Sequence, residues 1–401
     1  MAAPSPWVIL RRLLGVVPKH GEAEQPAAIS TALRAPPRVT ILGVGGPNAR
    51  PEPTRPVKVP YLVAAGPAGL LICFAAGEPP IETDEDLVVA REFLAPADPS
   101  RQPTTGSAER VPRRRGSMPA TCTLRSLGLT SGLLPGDYVI TELQVASRGG
   151  ERARLLRFFS AERLWLDTDL HNPLSAVDGG RNREWAPAGV VAHGGKLWFL
   201  DLSWGLLSCD PSATLPVLRF HSLPPGRCIH EPKPFLHTIR CVGVSNHMLR
   251  YVDIACDLDL DGRRAAEKKV SVWTAIPDPD CGGGGHGIRW LKTYEMGFEE
   301  IWSDGSYRET QLPAMIPEIS CTPGTPMWST SFCGGASSAS TCQRIGSWGF
   351  VEDAHKLVAP GCRRCVLPWD LPASIANGLV EAIVPFQDQC GSSETTTGSS
   401  D

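Results

Sequence analysis

Hydrophobic residues along this chain fall in short runs that end at Gly, Pro, Asn or Asp. Runs of this kind predict β-strands joined by tight turns. The clearest early example is Tyr61–Ala65, followed by the Gly66-Pro67 turn and then by Leu70–Ala75. Further strands are predicted at Arg38–Val44, Cys122–Leu127, Tyr138–Val145, Ala153–Phe159 and Leu164–Asp167.

A unit of short strands occurs twice in the middle of the chain. The first copy has a turn at His193-Gly194-Gly195 and then the strand Lys196–Asp201, and the second has Ser245-Asn246 and then Met248–Asp253. Leu197 aligns with Leu249, a separation of about 52 residues. Repeats of this length predict an all-β fold with β-propeller-like repeats of short antiparallel strands and few helices. A β-sandwich is the alternative, because it produces much of the same pattern.

Changes in composition divide the chain into three parts. Residues 1–29 are expected to be an N-terminal lead and linker, and residues 30–317 the β-rich domain. Within that domain, Pro and Arg predict a solvated loop over residues 95–120. Residues 318–401 are rich in Cys, Ser and Gly and are expected to be irregular, with a disordered tail over residues 391–401.

Charge and cysteine content narrow the class of protein. The formal net charge of −3 favours neither nucleic acid nor an anionic membrane as a partner. No apolar run approaches the length that spans a membrane, and no secretory signal is recognisable. The 13 cysteines are odd in number and scattered, which suits a reducing compartment. We therefore expect a cytoplasmic or nuclear protein.

Two motifs have the spacing of metal ligands. Asp257, Asp259 and Asp261 precede Gly262, as in a calcium-binding loop, because alternate carboxylates can surround one cation. Lys268 stands where such a loop needs Glu, so a solvated turn is favoured over a metal site. Cys362 and Cys365 have the CxxC spacing of half a zinc site, but no second ligand pair accompanies them, so a chance spacing is favoured over metal or redox chemistry.

A basic run, Arg113-Arg114-Arg115, precedes Ser117 in the predicted loop. Ser117 is a candidate phosphorylation site, because arginines two and three residues before it suit a basophilic kinase and could pair with the phosphate. A plain solvated loop is the favoured alternative.

The sequence contains no motif for a cofactor or a catalytic nucleophile, and we expect no cofactor. His193 could act as a base with Asp201, although a turn residue is the simpler interpretation. Trp198 and Trp204 are predicted to lie in the core. The chain thus favours a non-catalytic scaffold that recognises an unknown protein partner. The alternative is a hydrolase whose acids, Asp201, Asp210 and Asp253, gather at a propeller channel.

Several longer segments resemble one family. They include GGKLWFLDLSWGLLSCDP from Gly194, VSVWT from Val270 and MGFEEIWSDGSYRETQLPAMIP from Met296. These motifs, within residues 194–317, resemble the plant family, expanded in cereals, that is termed domain of unknown function 1618. The resemblance implies a β-rich, propeller-like structure and implies no known activity or catalytic residues.

Overall fold

The computed structural model describes the chain in segments. They are residues 6–16, 29–34, 39–45, 58–76, 86–97, 102–146, 150–177, 183–230, 236–255, 269–278, 287–305, 308, 318–321, 328–333, 336–341, 349–351 and 366–376.

The N-terminal part contributes five short strands. They are β1 (Trp7–Arg11), β2 (Gly15–Val16), β3 (Ile29–Thr31), β4 (Val39–Thr40) and β5 (Leu42–Val44).

Five antiparallel blades follow, each a run of four consecutive strands that pair in chain order. Blade one is β6 (Lys58–Gly66), β7 (Gly69–Ala76), β8 (Asp86–Leu94) and β9 (Thr104–Arg110). Blade two is β10 (Leu127–Ser131), β11 (Tyr138–Val145), β12 (Arg152–Phe159) and β13 (Leu164–His171). Blade three is β14 (Gly189–His193), β15 (Lys196–Asp201), β16 (Gly205–Cys209) and β17 (Arg219–Ser222). Blade four is β18 (Arg240–Ser245), β19 (Met248–Ala255), β20 (Lys269–Asp278) and β21 (Gly287–Gly297). Blade five is β22 (Glu318–Cys321), β23 (Trp328–Cys333), β24 (Ala336–Thr341) and β25 (Gly349–Val351).

The remaining elements are few. The strand β26 (Val366–Asp370) follows blade five, and two short α-helices with described bounds are α1 (Leu236–Ile239) and α2 (Phe298–Ser303). Short 3-10 helices cover Leu124–Ser126 and Pro173–Ala176. In the part of the chain that the structure describes, no helix has both the length and the apolar character that a membrane span requires.

The blades form a ring that β26 closes. The first strands, β6, β10, β14, β18 and β22, contact one another in that order, and β26 contacts both β22 and β6. β26 pairs antiparallel with β1, from Trp7 opposite Asp370 to Arg11 opposite Val366. The prediction of an all-β, propeller-like fold is therefore confirmed.

Apolar layers fill the spaces between neighbouring blades, because the central strands are apolar on both faces. Leu197 and Phe199 of β15 pack into the layer shared with blade two. Trp198 and Leu200, on the other face of the same strand, pack against Leu249 and Tyr251 of blade four. Trp198 and Trp204 are each only 5% exposed, so their predicted place in the core is confirmed.

The chain ends depart from the sequence prediction. Residues 1–29 were expected to form a lead, yet Val8 and Leu10 of β1 are almost fully buried. The expected irregular region 318–401 contains β22 to β26, and Trp369 is 1% exposed in the first core layer. A strand that pairs with the opposite end of the chain gives little local signal. Residues 391–401 lie outside the described residues.

The expectation of a solvated loop over residues 95–120 is also wrong in part. Thr104–Arg110 is β9, which pairs with β8 on one side and β3 on the other. Its sequence is polar, and pairing on both sides is what makes it a strand. Val111 directly after it is 3% exposed.

A candidate interaction face at the turn end of the blades

Each blade has two ends, because its strands run alternately up and down. The turns between the first and second strands and between the third and fourth strands share one end, which we call the turn face. At the end opposite the turn face, Arg240 at the start of β18 donates to the carbonyl oxygen of Leu202 in the β15–β16 turn, at 2.8 Å. Arg157, near the end of β12, donates to the carbonyl oxygens of Pro211 and Ala213 in the β16–β17 loop. Blades two, three and four therefore present their turn faces on the same side.

The closing strand ends at this same side. The indole Nε1 of Trp369 donates to the carbonyl oxygen of Gly66 in the β6–β7 turn, at 3.3 Å. The next residue, Asp370, is exposed as a whole. Protein atoms around its carboxyl group nevertheless raise the pKa of that group by partial burial, and the positive charge of His247 lowers it. His247 lies in the β18–β19 turn of blade four, so turns from across the ring converge near Asp370.

Two histidines occupy equivalent hairpins in blades three and four. His193 ends β14 and pairs with Lys196 across the turn, and the exposed His247 lies between β18 and β19. Burial lowers the pKa of His193, and the positive charge of His247 lowers it further. The imidazole of His193 is thus close enough to that of His247 to be affected by its charge.

Lysine and arginine side chains extend this line across blade three. Trp198 pairs with Ser208 and Ser208 with Arg219, so Arg219 lies on the face of the sheet that Trp198 and Lys196 share. Burial lowers the pKa of His221 to about 4, with smaller contributions from the charges of Lys196 and Arg219. We call His247, His193, Lys196 and Arg219 the basic arc.

Exposed apolar side chains lie on the turn-face loops of blades two and three. Leu133 is 84% exposed and Leu134 is 66% exposed, both in the β10–β11 loop of blade two. In the β16–β17 loop of blade three, Leu215 is 85% exposed and Val217 is 58% exposed. The turn face therefore combines apolar tips with positive charge.

The opposite end of the blades holds buried carboxylates in equivalent positions. Glu142 pairs with Leu127, the first residue of β10, and Asp253 with Arg240, the first residue of β18. Asp201 takes the corresponding place in blade three, where its Oδ2 accepts from the backbone N–H of Ala186 at 2.9 Å. Each of these acids ties the second strand of its blade to the start of the first.

Asp201 is fixed by further hydrogen bonds. Its Oδ1 accepts from the backbone N–H and the hydroxyl of Ser203, at 2.8 and 2.5 Å. Burial raises the pKa of Asp201, and these hydrogen bonds oppose the rise. His193 is at the far end of the hairpin, about 17 Å away along β15. His193 therefore does not pair with Asp201, and it lies at the β14–β15 turn, as the simpler interpretation of the sequence expects.

Asp253 is the centre of a buried ion pair network. Its Oδ1 is 3.0 Å from Nε of Arg240, and its Oδ2 is 3.1 Å from Nε of Arg227. Asp210, by contrast, is exposed in the β16–β17 loop, where it accepts from the backbone N–H of Ser212. Asp210 thus lies at the turn face, whereas Asp201 and Asp253 lie at the opposite end of the blades with separate partners, so the three acids of the hydrolase hypothesis do not gather in one site.

A serine–histidine pair escaped the sequence analysis. The Oγ of Ser208 is 2.8 Å from Nε2 of His221, and the two residues are 1% and 7% exposed. Only the register of β16 and β17 brings them together, so residue spacing alone gave no signal. Both side chains are enclosed beside Trp198, which makes the pair part of the core between blades three and four.

The basic run near Ser117 has a structural role. Arg113 is 2.9 Å from Oδ1 of Asp86, and Arg114 is 2.6 Å from Oε2 of Glu142. Ser117 itself is exposed, and its phosphorylation stays a prediction. Arg113 and Arg115 are exposed, as the solvated-loop alternative expects, whereas the Arg114 side chain is only 11% exposed.

The predicted metal motifs cannot be placed. Asp257, Asp259 and Asp261 lie outside the described residues, as do Cys362 and Cys365. Among the described segments, no three His, Cys, Asp or Glu side chains are grouped so that they could hold a metal ion.

Comparison with known proteins gives few matches. No curated protein matches the chain. Among solved structures, the chain is similar to "YCF48 bound to D1 peptide", with 11% identity over 87% of this chain and 72% of that one, at a TM-score of 0.30. It is also similar to the catalytic domain of the GH62 alpha-L-arabinofuranosidase of Coprinopsis cinerea, with 10% identity over 87% and 96% of the two chains, at a TM-score of 0.26. Neither TM-score is high enough to carry an argument.

The family comparison agrees with the motifs in the sequence. Residues 198–331 match the family model described as "Protein of unknown function (DUF1618)". The matched segment begins in β15 of blade three and ends in β23 of blade five. The resemblance drawn from the sequence is therefore confirmed over residues 198–331, the segment that matches the model of this family.

Proposed function

We propose that this protein is a non-catalytic scaffold that binds a protein partner through its turn face. The observation that carries the proposal is the exposure of Leu133, Leu134, Leu215 and Val217 on loops of two neighbouring blades. Groups of exposed apolar side chains on one face are typical of interaction sites. Loops on a rigid framework of strands are the usual place for such sites.

Hydrogen bonds hold these loops in shape, which supports the proposal. In the β10–β11 loop, the backbone N–H of Gly132 donates to the carbonyl oxygen of Asp137, and that of Asp137 donates to the carbonyl oxygen of Leu134. Arg91 of blade one also donates to the carbonyl oxygen of Gly136. A loop that is ordered before binding loses less conformational entropy when a partner docks.

The β16–β17 loop is fixed in a similar way. Arg157 of blade two donates to the carbonyl oxygens of Pro211 and Ala213, at 2.9 and 2.8 Å. Asp210 caps the turn that follows by accepting from the N–H of Ser212. Leu215 is therefore presented from a loop that two blades support.

A cytoplasmic or nuclear location is part of the proposal. Cys209 and Cys228 are free thiols, which supports a reducing compartment. Microscopy of the full chain with a fluorescent tag tests this, and a secreted or membrane-bound distribution contradicts it.

The experiment is cross-linking capture of partners by the full chain, with and without the paired substitution Leu133→Asp and Leu134→Asp. We expect the paired variant to lose the proteins that the unmodified chain captures, because two carboxylates replace the apolar contact. The matched control is Ile41→Asp with Leu291→Asp, which are 46% and 52% exposed outside the turn-face loops. If both paired variants capture the same proteins, the turn face is not the interaction site and the proposal fails.

A further inference from the structure

The basic arc indicates the chemistry of the partner, and this inference rests on the proposed function. Among the residues that the structure describes, neither Lys196 nor Arg219 has an ion pair partner, whereas most other arginines of blades two to four contact a carboxylate or a carbonyl oxygen. Lys196 is half-buried and Arg219 is exposed. A positive charge held without a counter-charge beside apolar loops favours an anionic ligand.

Strand register, not chance proximity, brings the arc together. His193 pairs with Lys196 across the β14–β15 turn, and the alternation of side chains places Arg219 on the same face of blade three. That face packs against blade four through Trp198, and the β18–β19 turn of blade four carries His247. The four side chains thus lie near the boundary of blades three and four, towards the turn face.

The backbone at His247 provides a second, independent observation. Asn246 and His247 have φ values of +49° and +57°, in the left-handed region that disfavours side chains. The equivalent turn of blade three uses Gly194 and Gly195, which adopt the same region without strain. Blade four therefore carries an exposed imidazole at a turn tip where blade three has only glycine.

The apolar neighbours decide between classes of anion. Val217 and Leu215 lie two and four residues before Arg219, and both are more than half exposed. A phosphate backbone offers these side chains no apolar contact, whereas a peptide can place carboxylates on the arc and apolar side chains on the loops.

We infer that the turn face, where blades three and four meet, binds an acidic peptide segment of the partner, with Asp or Glu side chains against the basic arc and apolar side chains against Leu215 and Val217. Lys196 and Arg219 supply the permanent charge. His193 and His247 add hydrogen bond donors at the turn tips.

The test is selection of displayed random short peptides on the full chain. We expect the selected peptides to combine Asp or Glu with Leu, Ile or Phe. On the paired variant Lys196→Glu and Arg219→Glu, the acidic preference should disappear. For one selected peptide, we expect affinity to fall about tenfold or more in this variant, since like charges oppose each other. The difference should shrink between about 0.05 M and about 0.5 M NaCl.

Controls separate charge from folding. Arg115→Glu with Arg308→Glu makes the same charge change at exposed positions outside the arc and should leave binding unchanged. Thermal unfolding checks each variant, and Lys196→Gln with Arg219→Gln replaces the reversal if that variant does not fold.

Each outcome decides the inference. Selected peptides that are neutral or basic, or that bind the arc variant equally well, overturn it, as does tighter binding of a single-stranded oligonucleotide at the same residues. If such neutral peptides still require Leu133 and Leu134, the scaffold proposal survives without this inference. If no peptide is selected and the Leu133 and Leu134 variant captures the same proteins as the unmodified chain, both fail.

Discussion

Trp369, near the end of β26, packs edge-on against Phe93 of blade one, with ring centroids 5.0 Å apart and an interplanar angle of 63°. The contact joins the last described strand of the chain to the first blade. Both side chains are almost fully buried, at 1% and 2% exposure. An edge-on aromatic pair adds to the stabilisation that burial provides. The ring of blades is thus closed by side-chain packing as well as by the pairing of β26 with β1.

This contact predicts that the C-terminal strand is essential for stability. Truncation of Trp369 to Ala should lower the free energy of unfolding by about 3–5 kcal/mol, because it leaves a large cavity in the first core layer. Leu291→Ala, on an exposed strand surface, is the control and should change stability by less than about 0.5 kcal/mol. Denaturant unfolding measures both. A Trp369→Ala variant as stable as the control contradicts the closure of the ring by this strand.

The local pattern of the sequence predicts the blades but not their closure. In the β14–β15 and β18–β19 hairpins, each strand pairs with its neighbour in sequence, so apolar runs and turn residues carry enough information. The pairing of Trp7 with Asp370 joins residues from opposite ends of the chain, and β9 is polar, so neither has a local signature.

The candidate site shows the same division. His193 stood out in the sequence because it precedes a Gly-Gly turn, and it lies at that turn but does not pair with Asp201. Lys196 and Arg219 come together only through the register of β15, β16 and β17. The strain at His247 is a backbone property that residue identity does not reveal. A surface built across strands and blades therefore needs the structure to be recognised.

Substitution of Asp253 should test the buried carboxylates at the end opposite the turn face. Asp253→Asn leaves the guanidinium groups of Arg240 and Arg227 without their counter-charge, so we expect a loss of about 3–5 kcal/mol in stability. Asp201→Asn should cost less, about 1–3 kcal/mol, because its main donors are the uncharged groups of Ser203 and Ala186.

Denaturant unfolding of both variants gives the comparison, and their difference is the informative quantity. Combining Asp253→Asn with Arg240→Met should be less destabilising than the sum of the single changes, because the two residues interact directly. Equal losses for Asp253→Asn and Asp201→Asn, together with additivity, would mean that charge pairing contributes little at this end of the blades.

The strained turn predicts an unusual gain in stability. His247→Gly should stabilise the fold by about 0.5–1 kcal/mol, since relief of the left-handed strain exceeds the added freedom of the unfolded chain. Gly195→Ala, at φ +71° in the equivalent turn, is the reverse change and should destabilise by about 1 kcal/mol. Thermal and chemical unfolding measure both. A destabilised His247→Gly variant would show that the histidine makes a structural contact, which argues against its role in the basic arc.

The buried Ser208–His221 pair predicts a dependence of stability on pH. Burial lowers the pKa of His221 to about 4, whereas an unfolded chain has a histidine pKa near 6.5. Between these values the unfolded state binds the proton more readily than the folded state. The contribution of His221 to stability is therefore complete above about pH 6.5 and declines as the pH falls towards about 4. The loss reaches about 3 kcal/mol at the acid end.

Replacement of the imidazole isolates this contribution from other acid effects. His221→Gln keeps a side chain that can hydrogen-bond to Ser208 but cannot be protonated, so the free energy of unfolding should fall less steeply between pH 6.5 and about 4. At pH 7 the variant should be about 1–2 kcal/mol less stable, because the new side chain packs less well beside Trp198. The exposed His171→Gln is the matched control and should keep the slope of the unmodified chain. If the His221 variant and the unmodified chain lose stability in parallel, His221 is already accessible to protons in the folded state, and the enclosed pair between blades three and four is wrong.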